Sequence, residues 1–155
     1  MSVLFAQTAN HCIDNTIYSN LFNTLPDIIL KHTDWDYLCQ LTDAGCFLKP
    51  TFRNMPHRNS FLPEIDIVAL SSGEHTILQM CGQPVKNVRV FMAIWVISLL
   101  FMELCFLALT VTSVLDSIFP VFIPIGLCAF GYLLCKLCTK AAFNSIFKAI
   151  QQECS

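Results

Sequence analysis

Two long apolar runs, separated by only two residues, dominate the second half of this 155-residue chain. The first run covers 90–115 and the second covers 118–135, with Asp116 and Ser117 between them. A helix of the first run's 26 residues is roughly 39 Å long, and one of the second run's 18 residues is roughly 27 Å long. Because a bilayer core of about 30 Å needs about 20 apolar residues, both runs predict membrane-spanning helices in a tight hairpin.

Basic residues flank the ends of this predicted hairpin and are absent from its turn. Lys86 and Arg89 precede the first run, and Lys136 and Lys140 follow the second. Loops rich in Lys and Arg stay in the cytosol, so the bias predicts that both chain ends are cytosolic. The alternative is a buried helical hairpin of a soluble protein, which the length of the apolar runs disfavours.

Composition agrees with a membrane protein and bears on other classes. Hydrophobic residues make up 55% of the chain and charged residues 13%, with a mean hydropathy of +0.59. The net charge of −2 offers no basic surface for nucleic acid. The nine cysteines are odd in number and irregularly spaced, which predicts reduced thiols facing a cytosol rather than a disulfide framework.

The predicted fold class is a mainly α membrane protein. A small N-terminal α+β cytosolic region precedes the two-helix transmembrane hairpin, and an amphipathic helix follows it, resting on the cytosolic leaflet or on a partner. Within the N-terminal region we expect a helix over about 26–41 and a β-hairpin formed by 65–70 and 75–81. The predicted segments are 1–25 (polar, compatible with a secretion signal or a flexible terminus), 26–89 (cytosolic region), 90–137 (hairpin) and 138–155 (cytosolic tail).

Glu103 is the charged residue nearest the middle of the first run. A charge inside a bilayer costs at least about 2.5 kcal/mol, so this carboxyl is expected to be protonated or partnered. One interpretation is an ion or proton path. The other is a hydrogen bond to a neighbouring helix, which favours self-association into a homo-oligomer.

The second run carries residues that recur at helical spacing on one face. These are Pro124, Cys128, Gly131 and Cys135. Because three of the four are small, the face predicts close packing against the first helix or a second copy. Pro124 is expected to kink the helix, since it falls inside the run.

Cys135 and Cys138 stand at the cytosolic exit of the second run. Cysteines next to a membrane are candidates for acylation, although helix packing also explains them. A Cys-x-x-Cys zinc or redox site needs a second ligand pair, which the sequence does not show. The sequence also lacks a recognisable catalytic or phosphate-binding motif, so neither an enzyme nor a cofactor is predicted.

This architecture resembles the inclusion membrane (Inc) proteins of chlamydiae. The chain shares their polar start and their bilobed hydrophobic segment, which corresponds here to 90–115 and 118–135. The resemblance implies secretion by a type III system and insertion into the membrane of the pathogen-containing vacuole as a virulence factor. It also implies that both termini recruit host cytosolic or membrane-trafficking proteins. The chain is therefore expected to be a non-enzymatic adaptor; the alternative is a small oligomeric channel that uses Glu103.

Overall fold

A computed structural model describes residues 6–51, 61–72, 75–112 and 119–154 of the chain. Two compact units are present: Met1–Val85 together with Cys138–Ser155, and Lys86–Leu137. In chain order the elements are β1 (Gln7–Asp14), α1 (Asn15–Thr33), β2 (Tyr37–Thr42), β3 (Gly45–Pro50), β4 (Pro63–Ser72), β5 (His75–Pro84), α2 (Lys86–Val111), a 3₁₀ turn (Phe119–Val121) and α3 (Phe122–Cys154).

The strands of the first unit form one antiparallel sheet in the order β1-β5-β4-β3-β2. The predicted hairpin is confirmed, because β4 and β5 pair in register from Pro63 opposite Pro84 to Ser72 opposite His75. Two residues of its turn, 73 and 74, lie outside the described residues. The central strands are rich in β-branched and other apolar residues, which suits a half-buried sheet.

The predicted fold class, a mainly α membrane protein, is wrong. A five-stranded antiparallel sheet stands beside three α-helices in the described part of the chain. Three strands escaped prediction. One is the short strand β3, which reads GCFLKP, and the other two are polar or irregular in sequence: β1 reads QTANHCID and β2 reads YLCQLT. Both lie at sheet edges, where a strand buries fewer side chains and its apolar alternation is weaker.

The first helix also differs from the predicted one over 26–41. It begins at Asn15 and ends at Thr33, so Pro26 lies inside it rather than in its first turn. The end is set by Asp34, which adopts a left-handed backbone with a φ of 58°. Its N–H donates to the carbonyl of Leu30 at 3.0 Å, the hydrogen bond that closes helices of this kind. The next strand, β2, begins three residues later at Tyr37.

One face of the sheet carries the core of the first unit. Alternate side chains of the strands point to this face, including Leu48 on β3, Ile67 on β4 and Leu78 on β5, each fully buried or nearly so. Leu25 and Ile29 of α1 pack into the same cluster. Tyr37 anchors the β2 end: its O–H donates to the carbonyl of Pro63 at 2.9 Å, and burial raises the pKa of its phenol.

The C-terminal part of α3 completes this core. Phe143, Ile146 and Ile150 belong to the same buried cluster as the strands and α1. A side chain at Gly82 of β5 would overlap the ring of Phe143, so the ring approaches the strand where only glycine leaves room. The tail is amphipathic, as its sequence indicates, but its apolar face covers the sheet of its own chain rather than a bilayer or a partner.

An ion pair also links the two helices of the first unit near their C-terminal ends. The Lys31 ammonium and the His32 Nε2 both contact Oε1 of Glu153, the histidine at 3.0 Å. The hydrogen bond from Lys31, followed by that from His32, holds the pKa of the Glu153 carboxyl below its usual value. These side chains are solvent-accessible, so the pair orients the helices more than it stabilises them.

The buried position of Ile146 gives a testable expectation. Ile146→Ala should lower the free energy of unfolding of the first unit by about 2–5 kcal/mol, because it leaves a cavity under the sheet. Urea unfolding of the full chain in mild detergent, followed by Trp35 fluorescence in a Trp95→Phe background, measures this. Asn144→Ala, an exposed position on the same helix, is the control and should change little. An unchanged Trp35 transition in Ile146→Ala would contradict the packing.

Candidate functional site

The second unit consists of two helices whose large apolar side chains are mostly exposed. On α2, Phe91 and Ile97 are 65% exposed, and Phe101 is 68% exposed. On α3, Phe122, Phe130 and Leu137 are exposed as well. Both helices are long and apolar enough to cross a membrane. Water is a poor solvent for so much contiguous apolar surface, and hydrocarbon is a good one, so the second unit is suited to membrane association.

Each of the two helices has one face that is less exposed than the rest. On α2 this face contains the buried residues Met92 and Leu99. Trp95 lies on the same face, and its ring rests directly on Gly131 of α3, where any larger residue would overlap it. Close contact through a small residue is the usual way in which helices pack when both are surrounded by lipid.

The residues predicted to form a packing face on α3 all lie on its less exposed side. Pro124 and Cys135 are buried, and Cys128 and Gly131 are half-buried. The reason for expecting a kink at Pro124 was its position inside the helix. That reason does not hold, because α3 starts at Phe122 and Pro124 stands in its first turn. A proline there removes no hydrogen bond that the helix needs.

Glu103 lies on the less exposed side of α2 and is itself half-buried. Its Oε2 is buried and has no hydrogen-bond partner among the described residues. The ion path and the self-association that Glu103 suggested both stay predictions.

The four basic residues that set the predicted topology lie on α2 and α3. Lys86 begins α2, with Arg89 in the same turn. Lys136 and Lys140 are exposed on α3, and the Lys136 ammonium stands 5.8 Å from the centre of the Tyr132 ring. Long basic side chains at such positions reach toward lipid headgroups while their stems cover apolar surface.

The two cysteines considered for acylation differ in accessibility. Cys135 is 1% exposed, whereas Cys138 is half-buried. Acylation requires an accessible thiol, so Cys138 is the better placed of the two. Whether either is acylated stays a prediction.

No group of three or more His, Cys, Asp or Glu side chains in the described ranges is placed to hold a metal ion. Cys46 is fully buried, and desolvation raises the pKa of its thiol, with neighbouring Cys39 adding to the shift. A thiol of this kind is a poor nucleophile.

The surface of the first unit shows a feature that sequence reasoning missed. Four large apolar residues of its described part are exposed: Leu30, Leu38, Leu41 and Leu70. Two of them lie on β2, and Leu30 precedes that strand at the end of α1. The uncharged sequence of β2 could have drawn attention to it, but only the sheet order shows that β2 is an edge.

The contact between Trp95 and Gly131 can be tested with a matched glycine on the same helix. Gly131→Val should destabilise the second unit by about 1–3 kcal/mol, because the added atoms overlap the indole ring. Gly126→Val is the control, since a side chain there meets nothing within 4 Å. Thermal unfolding in detergent, followed by Trp95 fluorescence in a Trp35→Phe background, separates the two variants. Equal melting temperatures for both would show that the ring does not pack on Gly131.

No protein-family model, curated protein sequence or solved structure matches this chain. The resemblance to the chlamydial inclusion membrane proteins therefore stays a prediction that rests on hydropathy. The two units differ in their exteriors: the second unit exposes many large apolar side chains, whereas the first has a buried core and a mixed exterior.

Proposed function

We propose that this chain is a non-enzymatic adaptor anchored in a membrane. In this proposal α2 and the first part of α3 hold the chain in the bilayer. The first unit recruits a protein from an aqueous compartment. The observation that carries the proposal is the contrast between the exteriors of the two units. Large apolar residues are exposed along α2 and α3, whereas in the described part of the first unit four such residues are exposed.

The finer part of the proposal concerns location and partner. Basic residues at the start of α2 and on α3 favour cytosolic ends for both apolar segments under the positive-inside bias. With the architectural resemblance to inclusion membrane proteins, this supports the membrane of a pathogen-containing vacuole, reached by type III secretion. The partner is then a cytosolic or membrane-trafficking protein of the host. The first unit has a packed core of its own, which gives a recruiting surface a defined shape.

The anchor is tested by making the same substitutions in the two units. Leu100→Lys with Leu104→Lys should release the chain from membranes washed with alkaline carbonate. Each lysine costs about 2.5–3.5 kcal/mol at the centre of a spanning helix. Leu38→Lys with Leu41→Lys, at comparably exposed leucines of β2, is the control and should leave the chain bound. Retention of both double variants, or release of both, would contradict the anchor.

The adaptor role is tested with the full chain in lipid nanodiscs as bait for host-cell cytosol. A partner that recognises the folded first unit should be captured by wild type and by Asn144→Asp, whose site is exposed. It should be lost with Ile146→Asp, which buries a charge under the sheet. Capture that ignores Ile146→Asp, or no specific capture in repeated trials, argues against an adaptor. If the chain instead gives a bilayer conductance that Glu103→Gln abolishes, the channel is favoured.

A further inference from the structure

The outer edge of β2 has no strand partner in the described part of the first unit. The sheet ends at β2, which pairs with β3 on one side. Natural sheets blunt such edges with charged residues, proline or bulges, because an open edge can pair with another chain. The strand β2 reads YLCQLT and has neither charge nor proline. The other edge strand, β1, reads QTANHCID, which is more polar and contains one charged residue.

The pairing register shows which backbone groups of β2 point outward. Thr51 N–H donates to the carbonyl of Asp36 at 2.8 Å, just beyond the β2–β3 ladder. Antiparallel strands alternate between residues that bond to their neighbour and residues that point away from it. Tyr37 opposes Pro50, which has no N–H, so Tyr37 is one of the residues that point away from β3. Tyr37, Cys39 and Leu41 therefore direct their N–H and carbonyl groups away from β3.

Exposed apolar side chains accompany these backbone groups on both faces of the strand. Leu38 is 51% exposed on the face opposite the core, and Leu41 is 65% exposed on the core side. Leu30 at the end of α1 is 46% exposed. Leu70 is 49% exposed at the far end of β4 and is the other large apolar residue exposed in the described first unit. Three of these four exposed leucines thus lie on or just before β2, the strand whose N–H and carbonyl groups point outward.

We propose that this edge binds β2 of a second copy of the chain, antiparallel about Cys39, to form a continuous ten-stranded sheet. In this register Tyr37 of each copy opposes Leu41 of the other, and the two Cys39 residues oppose each other. All three outward-pointing residues then exchange their N–H and carbonyl groups with the second copy. The twofold arrangement closes on itself, so it gives a dimer rather than a filament.

Two properties of the strand favour a second copy as the occupant. Because β2 is uncharged, pairing it with itself brings no like charges together. An edge of six residues also buries far less surface than the roughly 1,200–2,000 Å² that is buried in interfaces which hold proteins together in dilute solution. Two copies confined to one membrane by α2 and α3 meet at a much higher effective concentration, which a soluble peptide does not share. The dimer therefore depends on the membrane anchor proposed above.

The proposal is tested by energy transfer between donor- and acceptor-labelled copies of the full chain in liposomes at increasing lipid dilution. Wild type should show saturable pair formation. Leu41→Lys should weaken association by about tenfold or more, as charged edge residues do. Leu41→Pro should weaken it as well, because it removes an outward N–H and leaves the bonds to β3 in place. Leu70→Lys, at a similarly exposed leucine, should behave as wild type.

Four results would overturn the proposal. The first is a wild-type chain that stays monomeric at every lipid dilution. The second is a Leu70→Lys variant whose association is weakened as much as that of Leu41→Lys, and the third is loss of association in Glu103→Gln alone. The fourth is a monomeric wild type whose capture of a host protein is lost with Leu41→Lys. The third result would place the contact in the membrane, and the fourth would give the edge to another protein. Release of the chain from carbonate-washed membranes tests the anchor separately, so failure of the dimer and failure of the anchor are distinguishable. Urea unfolding of both Leu41 variants confirms that they fold.

Discussion

The packing of Phe143, Ile146 and Ile150 against the sheet is the contact on which the first unit depends. A five-stranded sheet with an apolar face has to cover that face, and α1 provides Leu25 and Ile29 for part of it. The end of α3 supplies the rest, from the far end of the chain. The first unit is therefore not complete until the last helix has formed, although its sheet and first helix lie within the first 85 residues. Deletion of the tail would expose core residues rather than remove an accessory segment.

This arrangement gives α3 two different environments along one continuous helix. Its first part is apolar on most sides and exposes residues such as Phe130 and Leu133. Its last part is amphipathic, with exposed Asn144 and Lys148 opposite the buried face. A helix that is apolar all round is stable in lipid, whereas an amphipathic one is stable against a protein core. The change of pattern follows Leu137, where the division into two units also falls.

The proposed adaptor role and the proposed dimer would use different surfaces of the first unit. If two copies join at β2, Leu38, Leu41 and the outward backbone groups are occupied in the dimer. A recruited protein would then meet other parts of the first unit, each presented twice, and two copies of a site bind a multivalent target more tightly than one. The proposed membrane anchor would contribute to both, because it would hold the copies in one plane.

The sequence by itself determined the two apolar helices and the β4–β5 hairpin. Two predominantly apolar runs of 26 and 18 residues, and two short β-like runs joined by a short turn, need no distant contact to be recognised. Their boundaries were less well determined: α2 begins at Lys86 rather than Val90, and α3 continues to Cys154 without a break at Cys135. Propensity changes gradually along a chain, whereas a helix ends where its backbone groups find other partners.

Only the tertiary structure decided that the chain is not mainly α, that β1 pairs with β5, and that the tail covers a sheet. The strand β1 is polar and gains its place from hydrogen bonds to residues about seventy positions away, which no local pattern encodes. The tail shows the same limit: an amphipathic helix displays an apolar face, but its sequence does not state whether lipid, a partner or its own chain will cover that face. Whether an apolar face is buried depends on the surface that packs against it, and that surface forms only when the chain has folded.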